Sequence, residues 1–182
     1  MRLSRPFCFG VVLPDDVEVI TRILRPQAAQ LTEYLDALEG SVEVTLRAMS
    51  VEEHALREVL AAYPELAPRG GDDRPARRGG GAASLVHESK IELGRRLAAA
   101  IQELQQRDAR WIIDTLAPTV RDIRVSRPLR DLMALNASFL VDRAKLKKFD
   151  RRLAELQSQA APRLQFDCIG PVAPFSFVEL KL

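Results

Sequence analysis

Aromatic side chains are scarce in this sequence of 182 residues, at 5%, with one Trp and two Tyr. A surface that stacks single-stranded nucleic acid needs several of them on one face. Cysteine is scarcer still. Cys8 and Cys168 lie at opposite ends of the chain and offer neither a disulfide framework nor metal-ligand spacing. No apolar run reaches the roughly 18 residues of a membrane span. The opening MRLSRPFCFGVVLPDD combines bases with a short apolar run. That run ends in Pro14-Asp15-Asp16 without a small-residue cleavage site, so it does not read as a signal peptide. The expected location is the cytoplasm, with no membrane partner.

What is present is ordinary globular material. Hydrophobic residues make up 47% and charged residues 29%, enough for one sizeable core. The net charge of +2 hides an asymmetry. Residues 14–66 hold eleven acids against four bases, and residues 121–152 hold ten bases against four acids. Opposite charge in the two halves points to nucleic acid, to an acidic partner, or to the chain's own acidic half. A solvated surface with local ion pairs is the plainer explanation.

Residues 7–12, FCFGVV, read as a short buried strand. Asp15-Asp16 then caps a helix carrying Val17, Ile20, Ile23 and Leu24, which Pro26 interrupts. A second helix places Leu31, Tyr34, Leu35 and Leu38 on one face and stops at Gly40. Residues 41–49 alternate: Val42, Val44, Leu46 and Ala48 against Glu43, Thr45 and Arg47, a half-buried strand. Ser50 and Glu53 have the spacing of a capping box, opening a helix that runs to Tyr63. Residues 67–82 are Gly, Pro, Arg and Asp, expected to be a mobile insert.

A long helix is expected from Ala83 to Leu116, with Leu93, Leu97, Ile101, Leu104 and Trp111 along one stripe and Pro118 beyond its end. A short strand follows at 120–126, with Ile123 and Val125 on one face. The next strand, 132–141, sends Met133, Leu135, Ala137, Phe139 and Val141 to one side. A helix over 143–160 turns Leu146, Phe149, Leu153 and Leu156 inward. Residues 163–169 form a last strand with Leu164, Phe166 and Cys168 on one face. The tail beyond Gly170 is too apolar for a solvated end and too rich in Pro for a central strand.

From residue 41 the order is strand, helices, strand, strand, helix, strand. Two right-handed crossovers around a hairpin make an α+β domain of ferredoxin-like type: a four-stranded antiparallel sheet with helices on one face. The expected organisation is a partial strand–helix segment at 1–40, the ferredoxin-like domain at 41–170 and an apolar tail at 171–182. Such a fold hosts many functions and fixes none.

Three segments carry a resemblance. Pro6-Phe7-Cys8-Phe9-Gly10-Val11-Val12 resembles the P-x-x-F-G-T-V strand of the GvpL/GvpF gas vesicle family. Gly40-Ser41-Val42-Glu43-Val44 fits the family's G-x-V-E strand. The tail, Gly170-Pro171-Val172-Ala173-Pro174-Phe175-Ser176-Phe177-Val178, is similar to its G-P-W-P-P-Y-S-F-V ending. Val172 and Ala173 stand where the family has Trp and Pro, and Val11 replaces Thr. The segment order between the motifs also agrees, so the likeness spans essentially the whole chain. The family has an N-terminal ferredoxin-like domain, and this chain opens at what corresponds to its last strand. Residues 1–40 therefore read as a remnant of that domain.

The resemblance implies a non-enzymatic accessory protein of gas vesicle assembly, and a minor component of the vesicle. It implies contact with the hydrophobic shell protein and with other accessory proteins, location at the vesicle, and no cofactor. The family-motif residues Phe7, Phe9, Gly10, Gly170, Pro171, Pro174, Phe175, Ser176 and Phe177 are then the candidate interaction residues. Phe175 and Phe177 are each expected to bury a ring, worth roughly 1.5–3 kcal/mol apiece, with the tail packing near residues 7–39. Apolar surface left over would serve the shell protein or self-association.

Other chemistry finds little support. His54 and His87 lack neighbours at ligand spacing, and His87-Glu88 is not followed by the second His of a zinc helix. Gly79-Gly80-Gly81 has neither a preceding strand nor a following Lys-Ser/Thr. Cys8 has apolar neighbours, and Ser176 has no local base. An alternative function is a nucleic-acid-binding or regulatory module using the basic region 121–152. RNA-binding sheets display aromatics on the open face of their central strands. Here that face would carry Glu43, Thr45 and Arg47 with Ala134, Asn136, Ser138 and Leu140, so specific nucleic-acid binding is not expected.

Overall fold

The computed structural model describes residues 15–67 and 82–178. The expected strand at 7–12, with Phe7, Phe9 and Gly10, lies outside them, as do residues 68–81 of the expected insert. Asp15 caps the first helix, accepting the Glu18 N–H at 2.8 Å. That helix, α1, is a short turn at Asp16–Glu18 continued by a π-helical turn over Val19–Leu24. Helix α2 follows Pro26 and runs Ala28–Leu38. Its expected apolar face is partly covered: Leu31, Tyr34 and Leu38 are half-buried, Leu35 is exposed, and no residue of α2 is fully buried. Gly40 then reverses the chain at a φ of 71°, in the region that favours glycine.

Strand β1 spans Ser41–Ser50. The capping box does not form. Ser50 belongs to the strand, its N–H bonded to Leu132 O at 2.8 Å, and its hydroxyl is buried without a partner. The next helix, α3 (Glu52–Ala62), is capped at Val51 with no side-chain bond, and Glu53 pairs with Arg57 instead. Strand pairing captures Ser50 because a ladder hydrogen bond needs its backbone in the extended form.

Helix α4 runs Ala82–Leu116. Its central turns pack on α3 through Leu104, Ala100, Val59, Ala55 and Leu66, a small satellite core. Its last turns bring Ile112 and Leu116 to the sheet, into the main core. Strand β2 is Asp122–Val125, β3 is Met133–Asp142, α5 is Leu146–Ala160 and β4 is Leu164–Val172. Val125, expected on the same face as Ile123, is exposed, whereas Ile123 is half-buried.

The sheet order is β2-β3-β1-β4 and every neighbouring pair is antiparallel. This order, with helical crossovers from β1 to β2 and from β3 to β4, is compatible with the ferredoxin-like plait. Alternation places Val42, Val44, Leu46 and Ala48 opposite Val141, Phe139, Ala137 and Leu135 on one face. Phe149, Leu153 and Leu156 of α5 close over them, and the Phe139 and Phe149 rings meet at 5.8 Å between centroids. At the rim, Arg163 pairs with the buried carboxylate of Asp108 and lies over the Trp111 ring. That contact ties α4 to the start of β4.

The final strand is longer than its sequence pattern suggested. It continues through Gly170 and Pro171 to Val172. Pro171 is tolerated because β4 is an edge strand, where a missing N–H breaks no essential ladder bond.

Candidate interaction site

The second face of the sheet, expected to be open, is covered by the tail. At Gly170 the chain takes a φ of 138°, and an added Cβ would stand 2.7 Å from Glu43 O and 3.2 Å from Val44 Cα. Only glycine lets β4 approach β1 this closely. A bulge sits here, since Glu43 pairs with Val172 and Thr45 with Ile169. The bulge bends the strand end, and the chain turns into a 3-10 turn at Phe175–Phe177.

Ser176 is seated over the middle of the sheet. Its backbone N–H donates to Glu43 Oε2 at 2.8 Å and its hydroxyl to Glu43 Oε1 at 2.6 Å. Thr45 Oγ1 donates to the same carboxylate at 3.2 Å. Ser138 Oγ donates to Ser176 Oγ at 3.2 Å and lies 3.1 Å from Thr45 Oγ1. Glu43 is only 4% exposed. A buried carboxylate is costly unless several donors compensate it, and this one receives three from protein groups. Phe177 is 4% exposed, and the Arg124 guanidinium lies 5.8 Å from its ring centroid.

The nine candidate residues thus divide. Gly170 and Pro171 end β4, Pro174 is half-buried, and Ser176 and Phe177 are packed on the sheet. Phe175 is 61% exposed, so only one of the two rings expected to be buried is. The bonds made by Ser176 run to Glu43 and Ser138, within the sheet, instead of to the segment before residue 40. Four partners were absent from the candidate set: Glu43, Thr45, Ser138 and Arg124. Glu43 carried a signal, since it belongs to the second family-motif segment, yet on an alternating strand it read as a solvent-facing acid.

The same packing changes the account of the polar face. Ala134, Ser138 and Leu140 are buried instead of displayed. The tail stands over Glu43 and Ser138 of the central strands. Among the described residues no cluster of His, Cys, Asp or Glu could hold a metal ion. None of their helices is long and apolar enough to cross a membrane. Cys168, on β4, is exposed, yet partial desolvation of its thiol and the charges of Asp150 and Asp167 push its pKa up, which disfavours the nucleophilic thiolate.

Comparison with known proteins agrees with the motifs. The family model described as gas vesicle synthesis protein GvpL/GvpF matches residues 5–179. Gas vesicle protein F of Streptomyces sp. (strain CB03234) is 36% identical over 174 residues, covering 96% of this chain and 69% of that protein. Gas vesicle protein F of Dolichospermum flosaquae is 22% identical over 179 residues, covering 98% and 70%. Among solved structures, that of GvpF from Anabaena sp. PCC7120 superposes with a TM-score of 0.77 at 21% identity, covering 98% of this chain and 70% of that one. GvpF from Microcystis aeruginosa gives 0.71 at 22% identity, covering 97% and 70%. The structural likeness carries the fold and the sequence likeness carries the family: this chain belongs to the GvpL/GvpF gas vesicle synthesis proteins.

Proposed function

We propose that this chain is a non-enzymatic accessory protein of gas vesicle assembly that binds the hydrophobic shell protein. The binding surface is the outer edge of β4 and the chain that leaves it. The observation behind this reading is a run of exposed apolar residues there: Ile169 at 42%, Val172 at 40% and Phe175 at 61%. They lie along an edge strand whose other side pairs with β1. Edge strands invite pairing with another chain unless charge or Pro blunts them. From Leu164 to Ile169 this one carries a single charge, Asp167, which is engaged by Arg47 at 3.4 Å.

A shell protein that builds an apolar wall must be shielded before assembly, and an exposed apolar strip beside a strand edge suits that task. Gly170, Pro171 and Pro174 shape the strip, while Ser176 and Phe177 anchor it to the sheet. Phe7, Phe9 and Gly10 belong to the same reading as family-motif residues, with 1–40 a unit distinct from the domain at 41–170. Other accessory proteins of the vesicle are further partners, and the setting is the cytoplasm at the vesicle surface. Neither a cofactor nor nucleic acid takes part.

The test dilutes denatured shell protein into buffer with and without the full chain and follows light scattering. The chain is expected to suppress scattering and to co-elute with the shell protein. The Ile169→Ser/Phe175→Ala variant is expected to do neither while keeping its fold. Equal scattering with and without the native chain overturns the proposal.

A further inference from the structure

Backbone groups along β1 turn alternately to its two neighbours, and three bonds fix which residue turns which way. Ser50 N–H donates to Leu132 O, on the β3 side, at 2.8 Å, and Val51 N–H donates to Arg163 O, on the β4 side, at 3.0 Å. At the other end of the strand Gly40 O accepts from Arg143 N–H, again on the β3 side, at 2.9 Å. Even-numbered residues of β1 therefore serve β3, and odd-numbered ones serve β4. Met49, Arg47 and Thr45 face Gln165, Asp167 and Ile169, which turn their own N–H and C=O groups to β1. The residues between them, Leu164, Phe166 and Cys168, turn theirs outward. The sheet order ends at β4, with no further strand among the described residues.

That outward row is a template for another strand. Leu164, Phe166 and Cys168 each offer one donor and one acceptor, at every second position, which is the pattern a paired strand needs. Pro162 and Pro171 bracket the row. A proline has no N–H to give, so a partner can register only between them. Inside the brackets the usual protections of an edge are missing: there is no Lys and no Pro from Leu164 to Ile169. The bulge lies past the end of the row, between the Thr45–Ile169 and Glu43–Val172 pairs. Gln165, Asp167, Cys168 and Ile169 are all exposed.

The side chains beside this row say what would pair with it. Ile169 is exposed and apolar, and Phe166 lies against the main core on the opposite face. Two carboxylates act on the Cys168 thiol, Asp167 next to it in sequence and Asp150 on α5. The Asp167 side chain is 60% exposed, and its contact with Arg47 is a long one, at 3.4 Å. The edge is thus acidic at Cys168 and apolar around it. A mostly apolar strand with a base opposite the acids complements both features, since opposite charges on facing strands attract and like charges repel.

We infer that the shell protein joins this chain by strand addition: an extended, mostly apolar segment carrying a base pairs through its main chain with Leu164, Phe166 and Cys168, as a fifth strand beyond β4. The inference rests on the β4 edge as the shell-protein surface and adds the atoms that do the binding. A segment of about five residues, roughly 17 Å long, spans the row. Main-chain bonds supply the attraction, and the alternating side chains with their one charged position set the register. A strand held in this way has one of its own edges occupied, which removes that edge from aggregation before the wall is built.

Residue-resolved hydrogen exchange on the full chain, alone and with shell protein diluted from denaturant, tests this. Alone, the amides of Leu164, Phe166 and Cys168 are expected to exchange fast and those of Gln165, Asp167 and Ile169 slowly. With shell protein the first three should slow by about tenfold or more. Cys168→Pro removes an outward N–H and no bond to β1, so it should keep the fold, checked by circular dichroism, and weaken capture of the shell protein by about tenfold. Asp150→Asn/Asp167→Asn should weaken capture by about threefold, the scale of an exposed charge pair. A native chain that captures no shell protein overturns both the edge and the strand. Capture with no new protection at Phe166 and Cys168, or capture undiminished in Cys168→Pro, overturns strand addition and leaves the edge as the binding surface. Protection that rises with the concentration of this chain alone also overturns it, because a second copy then takes the row. Undiminished capture by the double carboxamide variant overturns the basic residue of the partner strand.

Discussion

Ser176 gives both its backbone N–H and its hydroxyl to the carboxylate of Glu43, at 2.8 and 2.6 Å, across 133 positions of sequence. A residue near the end of the chain is thereby fixed to the first strand of the sheet. The bond joins two of the segments by which the family is recognised. It also explains how an acid can sit at 4% exposure in the middle of a sheet face: the tail brings donors to it.

Replacing Glu43 tests this directly. Glu43→Ala strands the Ser176 N–H and the hydroxyls around it, and a buried donor left unpaired costs about 1–3 kcal/mol. The expected result is a lower urea midpoint and faster hydrogen exchange at Ser176 and Phe177. Glu43→Gln should cost less, since its carbonyl can still accept the Ser176 N–H. Unchanged exchange in the alanine variant would show that the tail is held by other contacts.

The two tail phenylalanines should separate stability from binding. Phe177 is 4% exposed and Phe175 is 61% exposed. Phe177→Ala is expected to cost about 3 kcal/mol, at the low end for a buried Phe because a tail can relax. Phe175→Ala should stay within about 0.5 kcal/mol of the native chain, as surface changes usually do, yet weaken capture of the shell protein. Thermal unfolding beside the scattering assay measures both, and equal destabilisation by the two variants contradicts the packing described.

Gly170 should resist every substitution. A Cβ there would stand 2.7 Å from Glu43 O, and the φ of 138° is one that side chains rarely adopt. Gly170→Ala is expected to destabilise by about 1–3 kcal/mol through backbone strain. The strain should spread to Ser176, read as loss of amide protection in the tail. Gly94, whose Cβ position is open, is the control: Gly94→Ala should stabilise α4 slightly, by up to about 1 kcal/mol.

Cys168 should react slowly at neutral pH. Cys168 is exposed, but partial desolvation of its thiol, then Asp150 and Asp167, raise the thiol pKa, so less thiolate is present than in an unperturbed cysteine, and the rate should climb with pH. Asp167→Asn removes one of the raising charges and should speed alkylation, measured by peptide-resolved mass spectrometry. Faster reaction than a model thiol at pH 7 would contradict the direction of the shift.

Periodicity alone determined most of the fold. Val42 to Ala48 and Met133 to Val141 alternate in register with a pleated strand, and Phe149, Leu153 and Leu156 repeat with the helical turn. Their burial follows because one face of each element had only one place to go. The three family-motif segments were likewise legible as residues in order. What sequence pattern could not resolve was competition between local and distant partners. Ser50 and Glu53 had the spacing of a cap, but strand pairing to Leu132 took Ser50. Glu43, Thr45 and Ser138 read as a solvated face, because alternation tells which residues share a side and not what will cover that side. The cover came from residues 175–177, more than 130 positions beyond Glu43, through hydrogen bonds that exist only once β4 and its bulge have brought the tail across the sheet. The arm at 16–38 is the converse case. Its helical pattern was plain, but helical periodicity cannot say how deeply such a face will be covered: Leu31, Tyr34 and Leu38 are half-buried while Leu35 of the same face is exposed.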